Sequence, residues 1–158
     1  MKKIKTILAA AALLLATTAF ATTGGDNDNV SSKVKAAFVN NFAKAEQVSW
    51  SARSDFYFAK FTLNGVSTEA AYTPEGELIA SSRKVATDQL PLAVSLELNN
   101  RYDGYAIPAE ATEINFQGTT TYYLEVQNNT TIVELKCTPN GDVDVVKKTK
   151  KAEPVILS

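Results

Sequence analysis

Histidine is missing altogether from this 158-residue sequence, and cysteine, methionine and tryptophan occur once each. Without histidine the usual metal ligand and the usual neutral-pH acid/base are gone, and no Ser-His-Asp or Cys-His arrangement can be assembled. One cysteine excludes an intrachain disulfide and a thiolate metal cluster. Seven glycines and five prolines are too few for a collagen-like or low-complexity chain, while 45% hydrophobic and 21% charged residues are ordinary for a globular protein. No Gly-rich loop follows a strand and opens a helix, so nucleotide chemistry is not expected. The sequence reads as a non-enzyme with no cofactor and no resident metal.

The N-terminus has the three parts of a secretory signal. Lys2, Lys3 and Lys5 form a basic start, Ile7 to Leu15 an apolar run, and Ala19-Phe20-Ala21 a small-x-small cleavage site. The run is too short to span a bilayer, and no Cys follows it to carry a lipid anchor. Export to the periplasm or beyond, with cleavage near Ala21, is the expectation. Cleavage would leave 137 residues and, with three of the 16 basic residues gone against 17 acidic ones, a net charge of −4. A mildly acidic product is not suited to nucleic acid. Lys147, Lys148, Lys150 and Lys151 form one basic run near the C-terminus. They suit a solvated last strand, where lysine also blunts a sheet edge, with an anionic partner as the alternative.

Residues 22–29 (TTGGDNDN) hold nothing to bury and read as a flexible leader. Their Asp26 and Asp28 lack the Gly and distal Glu of a calcium loop. Ordered sequence begins at Val30. Ser31 or Ser32 can cap a helix striped by Val34, Phe38 and Phe42. Alternating segments follow at Val48 and Trp50, Phe56 to Leu63, Val66 to Tyr72, and Leu78 to Val85. Asn64-Gly65 and Thr73-Pro74-Glu75-Gly76 are turns between them. The pattern then recurs. Asp88 can cap a helix with Pro91 in its first turn and Val94, Leu98 and Tyr102 as its stripe. From Phe58 onward the halves align without a gap at a shift of 65 residues, so that Thr73-Pro74-Glu75-Gly76 falls on Thr138-Pro139-Asn140-Gly141. About six extra residues lie around Asp103 to Ala111. The expected fold is therefore α+β: a tandem repeat (30–87 and 88–150, then a short tail to 158) of one helix plus an antiparallel four-stranded meander, the helices packed on one sheet face.

Val34-x3-Phe38-x3-Phe42-x7-Trp50, the strand Phe56-Tyr57-Phe58, Tyr72-Thr73-Pro74-Glu75-Gly76-Glu77-Leu78-Ile79 and Leu90-Pro91-x2-Val94-x7-Tyr102 resemble the PepSY-like, or β-lactamase-inhibitor-like, family of exported bacterial proteins. The resemblance runs from about Val30 to Lys148. It implies tandem helix-plus-sheet units and an inhibitor-like docking of a protein such as a secreted hydrolase. Inhibitors of that shape have disulfide-stapled repeats, from which the single cysteine here departs.

Alternation assigns faces. Trp50, Tyr57, Ala59, Phe61, Ala70, Tyr72, Leu78 and Ala80 should face the helix, as should Phe116, Tyr122, Leu124, Val126, Leu135, Cys137, Val143 and Val145. Cys137 then reads as a small core residue, with an intermolecular bridge as the alternative. The opposite register shows Phe56, Phe58, Lys60, Glu69, Ile79 and Arg83 in the first half and Tyr123, Glu125, Gln127, Glu134 and Lys136 in the second. Aromatics among alternating charges on an open face suit a protein-docking surface anchored by Phe56, Phe58 and Tyr123; cover by a loop, the leader or Pro154-Val155-Ile156-Leu157 is the competing reading. A second functional class, an envelope carrier of a small molecule or peptide, would place its ligand between the repeats or beside Tyr102 and Tyr105.

Overall fold

The computed structural model describes residues 30–152; the signal, leader and tail expectations lie outside them. Two α-helices, α1 (Ser32–Asn41) and α2 (Leu92–Arg101), accompany eight strands: β1 (Glu46–Arg53), β2 (Phe56–Leu63), β3 (Val66–Tyr72), β4 (Leu78–Ala86), β5 (Glu110–Phe116), β6 (Thr119–Gln127), β7 (Thr131–Cys137) and β8 (Val143–Lys150). They form an eight-stranded antiparallel sheet in the order β1-β2-β3-β4-β5-β6-β7-β8, so the α+β class holds. Contacts divide the chain into two compact units. One runs to Lys84 and includes Ile114–Thr119; the other comprises Val85–Glu113 and the residues from Thr120 on.

In the first unit, α1 begins where Ser31 Oγ accepts a hydrogen bond from Val34 N at 3.3 Å, the expected cap. Val34 and Phe38 are its buried residues. They pack with Val30, Trp50, Ala59, Phe61, Ala70 and Tyr72 into one core, with Phe42 and Tyr57 at its margin. Phe38 is the hub of this core. Its ring centroid lies 5.0 Å from Phe61 and 5.3 Å from Trp50, both edge-on, the arrangement that ring quadrupoles favour. The buried Tyr72 hydroxyl accepts from Asn41 Nδ2 at 3.3 Å, so its polar end is not stranded. At the β2–β3 turn, Asn64 (φ 51°) and Gly65 (φ 80°) both take the left-handed conformation of a type I′ turn, which matches strand twist.

The second unit builds its core from other side chains. Val94, Leu98 and Tyr102 meet Tyr122, Leu124, Val126, Val133, Leu135, Cys137 and Val143, with no aromatic hub. Leu98 stands where the first unit has Phe38. The entry to α2 differs from expectation: Pro91 is the N-cap and gives no side-chain cap, and Asp88 sits in a preceding 3-10 turn, Thr87–Gln89. Proline's fixed φ suits that boundary, and Asp88 lies too far upstream to reach the free N–H groups of α2.

The hairpins share one register at the shift of 65. Tyr57 pairs with Tyr72 and Ala59 with Ala70; Tyr122 pairs with Cys137 and Leu124 with Leu135. The following ladders differ in where one extra residue is inserted. In β4 it is Ile79, between Leu78 (opposite Tyr72) and Ala80 (opposite Ala71). In β8 it is Val146, between Val145 (opposite Leu135) and Lys147 (opposite Glu134). A bulge of this kind reverses the alternation beyond it.

Candidate functional site

Cross-strand partners share a face, so the register fixes what lies away from the helix in each unit. In the first, one row reads Ser51, Phe58, Ala71 and Ala80, and the next Ser49, Lys60, Glu69 and Ser82. Arg53 stands opposite Phe56 on the same face. The expectation that Phe56 and Phe58 are solvated anchors is corrected here: they are 5% and 1% exposed, and Ile79 is 5% exposed. Part of the physical reason is local. Phe58 is flanked by the small Ser51 and Ala71, and the Arg53 guanidinium carbon stands 4.7 Å over its ring, a cation–π contact. The same guanidinium donates from Nη2 to Glu69 Oε1 at 3.1 Å, so a charge pair lies beside the aromatic.

Two further placements change because of the Ile79 bulge. Arg83 pairs with Thr68, which pairs with Phe61, so it belongs to the helix-side register and not to the open face. Ala80 moves the other way, joining Phe58 and Ala71, and Leu78, expected in the core, is 40% exposed. Lys60 is exposed and Glu69 half-buried, both on the face assigned to them. Burial pushes the Glu69 carboxyl up from its ordinary value, and Arg53 and then Lys60 pull it down without cancelling that cost. Desolvation outweighing attraction is a familiar balance for a partly buried pair.

The second unit keeps an open face. Its rows are Tyr123, Lys136 and Asp144; Glu125, Glu134 and Lys147; Gln127, Ile132 and Thr149. Glu125, Gln127, Lys136, Asp144, Lys147 and Thr149 are exposed, and Tyr123, Glu134 and Ile132 half-buried. Lys147 Nζ meets Glu134 Oε1 at 3.6 Å, offsetting the like charge of Glu125 across the strand. Burial raises the pKa of the Tyr123 phenol. Val145 keeps the helix-side register but is 51% exposed rather than part of the core, because it stands on the last strand beside the bulge. Cys137 is fully buried, and burial, with Asp144 adding to it, pushes its thiol up to about 11.

The insertion around Asp103–Ala111 is pinned within the second unit. Ala106 exchanges backbone hydrogen bonds with Gln127 (2.7 and 3.1 Å), and Thr87 bonds the Ala109 and Pro108 carbonyls through its N–H (3.0 Å) and Oγ1 (2.7 Å). Tyr102 and Tyr105 stack edge to face at 5.4 Å, so these two rings contact one another. Among the described residues no cluster of His, Cys, Asp or Glu could hold a metal ion, and no helix is long and apolar enough to cross a membrane.

Sequence reading missed Asp144 and Lys147 on the open face of the second unit, and Arg53 in the first. The signal for Arg53 was positional: it stands two residues from Ser51 in the same alternation, across the turn from Phe56.

No family model and no curated protein matches this chain. Solved structures of the same fold do. A protein from Bacteroides eggerthii, assigned provisionally to the periplasm, is similar at TM-score 0.65 and 21% identity over 77% of this chain and 88% of its own. A DUF2874 family protein from Bacteroides uniformis matches at 0.65 and 22%, over 76% and 88%. A BLIP-like protein from Bacteroides fragilis matches at 0.63 and 14%, over 81% and 91%. At these identities the likeness establishes a BLIP-like fold and goes no further.

Proposed function

We propose that this chain is an exported, non-enzymatic binding module, inhibitor-like in action, that docks a protein partner on the sheet face away from its helices. The observation that carries the reading is the lattice on β6–β8. Tyr123 is held half-exposed there, with Lys136 and Asp144 in its own row and Glu125, Glu134 and Lys147 in the next. A rigid aromatic among charges of both signs supplies an anchor and a selective rim. Lys60, Glu69 and Arg53 offer the same chemistry in the first unit, where Phe56, Phe58 and Ile79 are buried and are not anchors. Steric occlusion of a secreted or envelope protein such as a hydrolase needs no catalytic group on this chain. Export rests on the tripartite N-terminus and agrees with the provisional periplasmic assignment of the Bacteroides eggerthii protein. PepSY-like kinship belongs to the same proposal.

The test is affinity capture from envelope and culture fractions with the wild-type protein, a Tyr123→Ala/Lys136→Glu variant and a Val39→Ser control on the exposed side of α1. A protein recovered by wild type and control but lost with the double variant supports the face. Equal recovery by all three overturns it.

A further inference from the structure

The last strand gives Asp144 and Lys147 to the docking rows, but its outer edge and its remaining lysines have a chemistry that those rows do not use. β8 ends the strand order, so only β7 pairs with it among the described residues. All its residues but Val143 are exposed. The Val143 carbonyl already accepts from Arg101 Nη1 at 2.8 Å, which leaves Asp144–Lys150 as the open stretch. Val145 and Val146 are 51% and 56% exposed there, an apolar pair standing next to Lys147 and Lys148. Val145, Lys148 and Lys150 share one face, opposite Leu135, Val133 and Thr131. Lys147 is held by Glu134, whereas Lys148, Lys150 and Lys151 have no carboxylate partner among the described residues.

We infer that the free edge of β8 is a strand-addition site for an acidic, extended segment of a partner protein. An edge strand presents backbone N–H and C=O groups that a peptide can extend, with alternate side chains giving selectivity. The lysines make this edge selective rather than merely open. A second β8 would place cation against cation, which is unfavourable across a ladder, so self-pairing is disfavoured. A strand with Glu or Asp at alternate positions would instead meet Lys148 and Lys150, which share one face of β8. The protein's acidic balance makes this basic edge locally distinct. The site adjoins the docking rows at Asp144 and Lys147 but rests on the edge backbone with Lys148 and Lys150, which those rows do not include.

The test uses the full chain with a synthetic eight-residue peptide alternating Glu with Val and Thr, and its Lys-for-Glu counterpart. Binding is followed by amide exchange and by titration. Saturable binding of the acidic peptide with new amide protection confined to residues 144–150 is expected. A Lys148→Glu/Lys150→Glu variant, altered only at exposed positions, should lose that peptide by on the order of tenfold or more and gain the basic one. Tyr123→Ala, a docking-face change on β6 that alters no charge and lies two strands from the edge, should leave the edge titration unchanged, which separates this site from the docking face. Binding without new amide protection, or equal binding of unstructured polyglutamate or heparin, would mean simple counter-charge attraction and overturn the proposal. So would no binding at all, or a reversal variant that keeps its preference.

Discussion

Each meander closes against its helix at a glycine, and the two closures differ in tightness enough to be ranked by experiment. Gly141 has φ +96°, and a Cβ there would stand 3.0 Å from the Ala93 carbonyl oxygen and 3.1 Å from the Ala93 Cβ. At Gly76 (φ +84°) the same atom would meet the Lys33 carbonyl oxygen at 3.3 Å and the Ala37 Cβ at 3.4 Å. At Gly65 (φ +80°) it would meet nothing within 4 Å. Alanine at Gly65 therefore suffers only the left-handed backbone penalty, roughly 1–2 kcal/mol, partly offset by about 0.4–1 kcal/mol of lost unfolded-state freedom. At Gly141 the obstructing atoms are largely backbone, so α2 must shift, at a further ~1–3 kcal/mol. The expected order of destabilisation is Gly141→Ala above Gly76→Ala above Gly65→Ala. Urea unfolding measures it, with far-UV circular dichroism for the whole chain and the single Trp50 reporting on the first unit. Three equal losses would refute the close approach of turn to helix, since backbone strain alone does not distinguish them.

Glu69 and Cys137 give two further tests. The folded Glu69 carboxyl titrates above its ordinary 4.5 because burial outweighs Arg53 and Lys60. The native state therefore holds this proton more tightly than the unfolded chain, so the contribution is fully present below 4.5 and is lost as pH rises through the raised value. Glu69→Gln should flatten the stability–pH curve in that window, and an unchanged curve counts against the assignment. With its thiol near 11 and no exposed surface, Cys137 should react with a thiol reagent at pH 8 at least about two orders of magnitude slower than the unfolded chain. Rapid native labelling would remove it from the core.

How far the structure was legible depends on what fixed each feature. β2 and β3 run from Phe56 to Leu63 and Val66 to Tyr72 as the alternation and Asn64-Gly65 imply, because turn and pattern agree there. The helical stripes were legible too, since apolar residues every four positions have one economical solution. Placements beyond the bulges were not. Neither Ile79 nor Val146 carries a glycine or other local mark, so nothing in the pattern shows that a residue has been inserted. One such insertion sends Arg83 to the helix side and Ala80 away from it. Period-two alternation also cannot tell an exposed aromatic face from a covered one. Phe58 needed the third dimension, in which Arg53 stands over its ring.

The two bulges differ in what they bury, and that difference predicts how each tolerates deletion. Val146 is exposed on an edge strand, and the residues on either side of it already pair with consecutive positions of β7, Leu135 and Glu134. Removing it would close a regular ladder with every partner kept, so a deletion of Val146 should change stability by no more than about 1 kcal/mol, within the ordinary scale for exposed sites. Ile79 also lies between consecutive partners, Tyr72 and Ala71, but its side chain is buried and its carbonyl accepts from Gln117 N at 3.2 Å. Deleting it loses a buried aliphatic group and that hydrogen bond, roughly 3–6 kcal/mol together. Parallel denaturant curves of the two deletions decide the matter. If Val146 proves the costlier, the irregularity in β8 supports packing, and its role as a simple kink in an open edge is wrong.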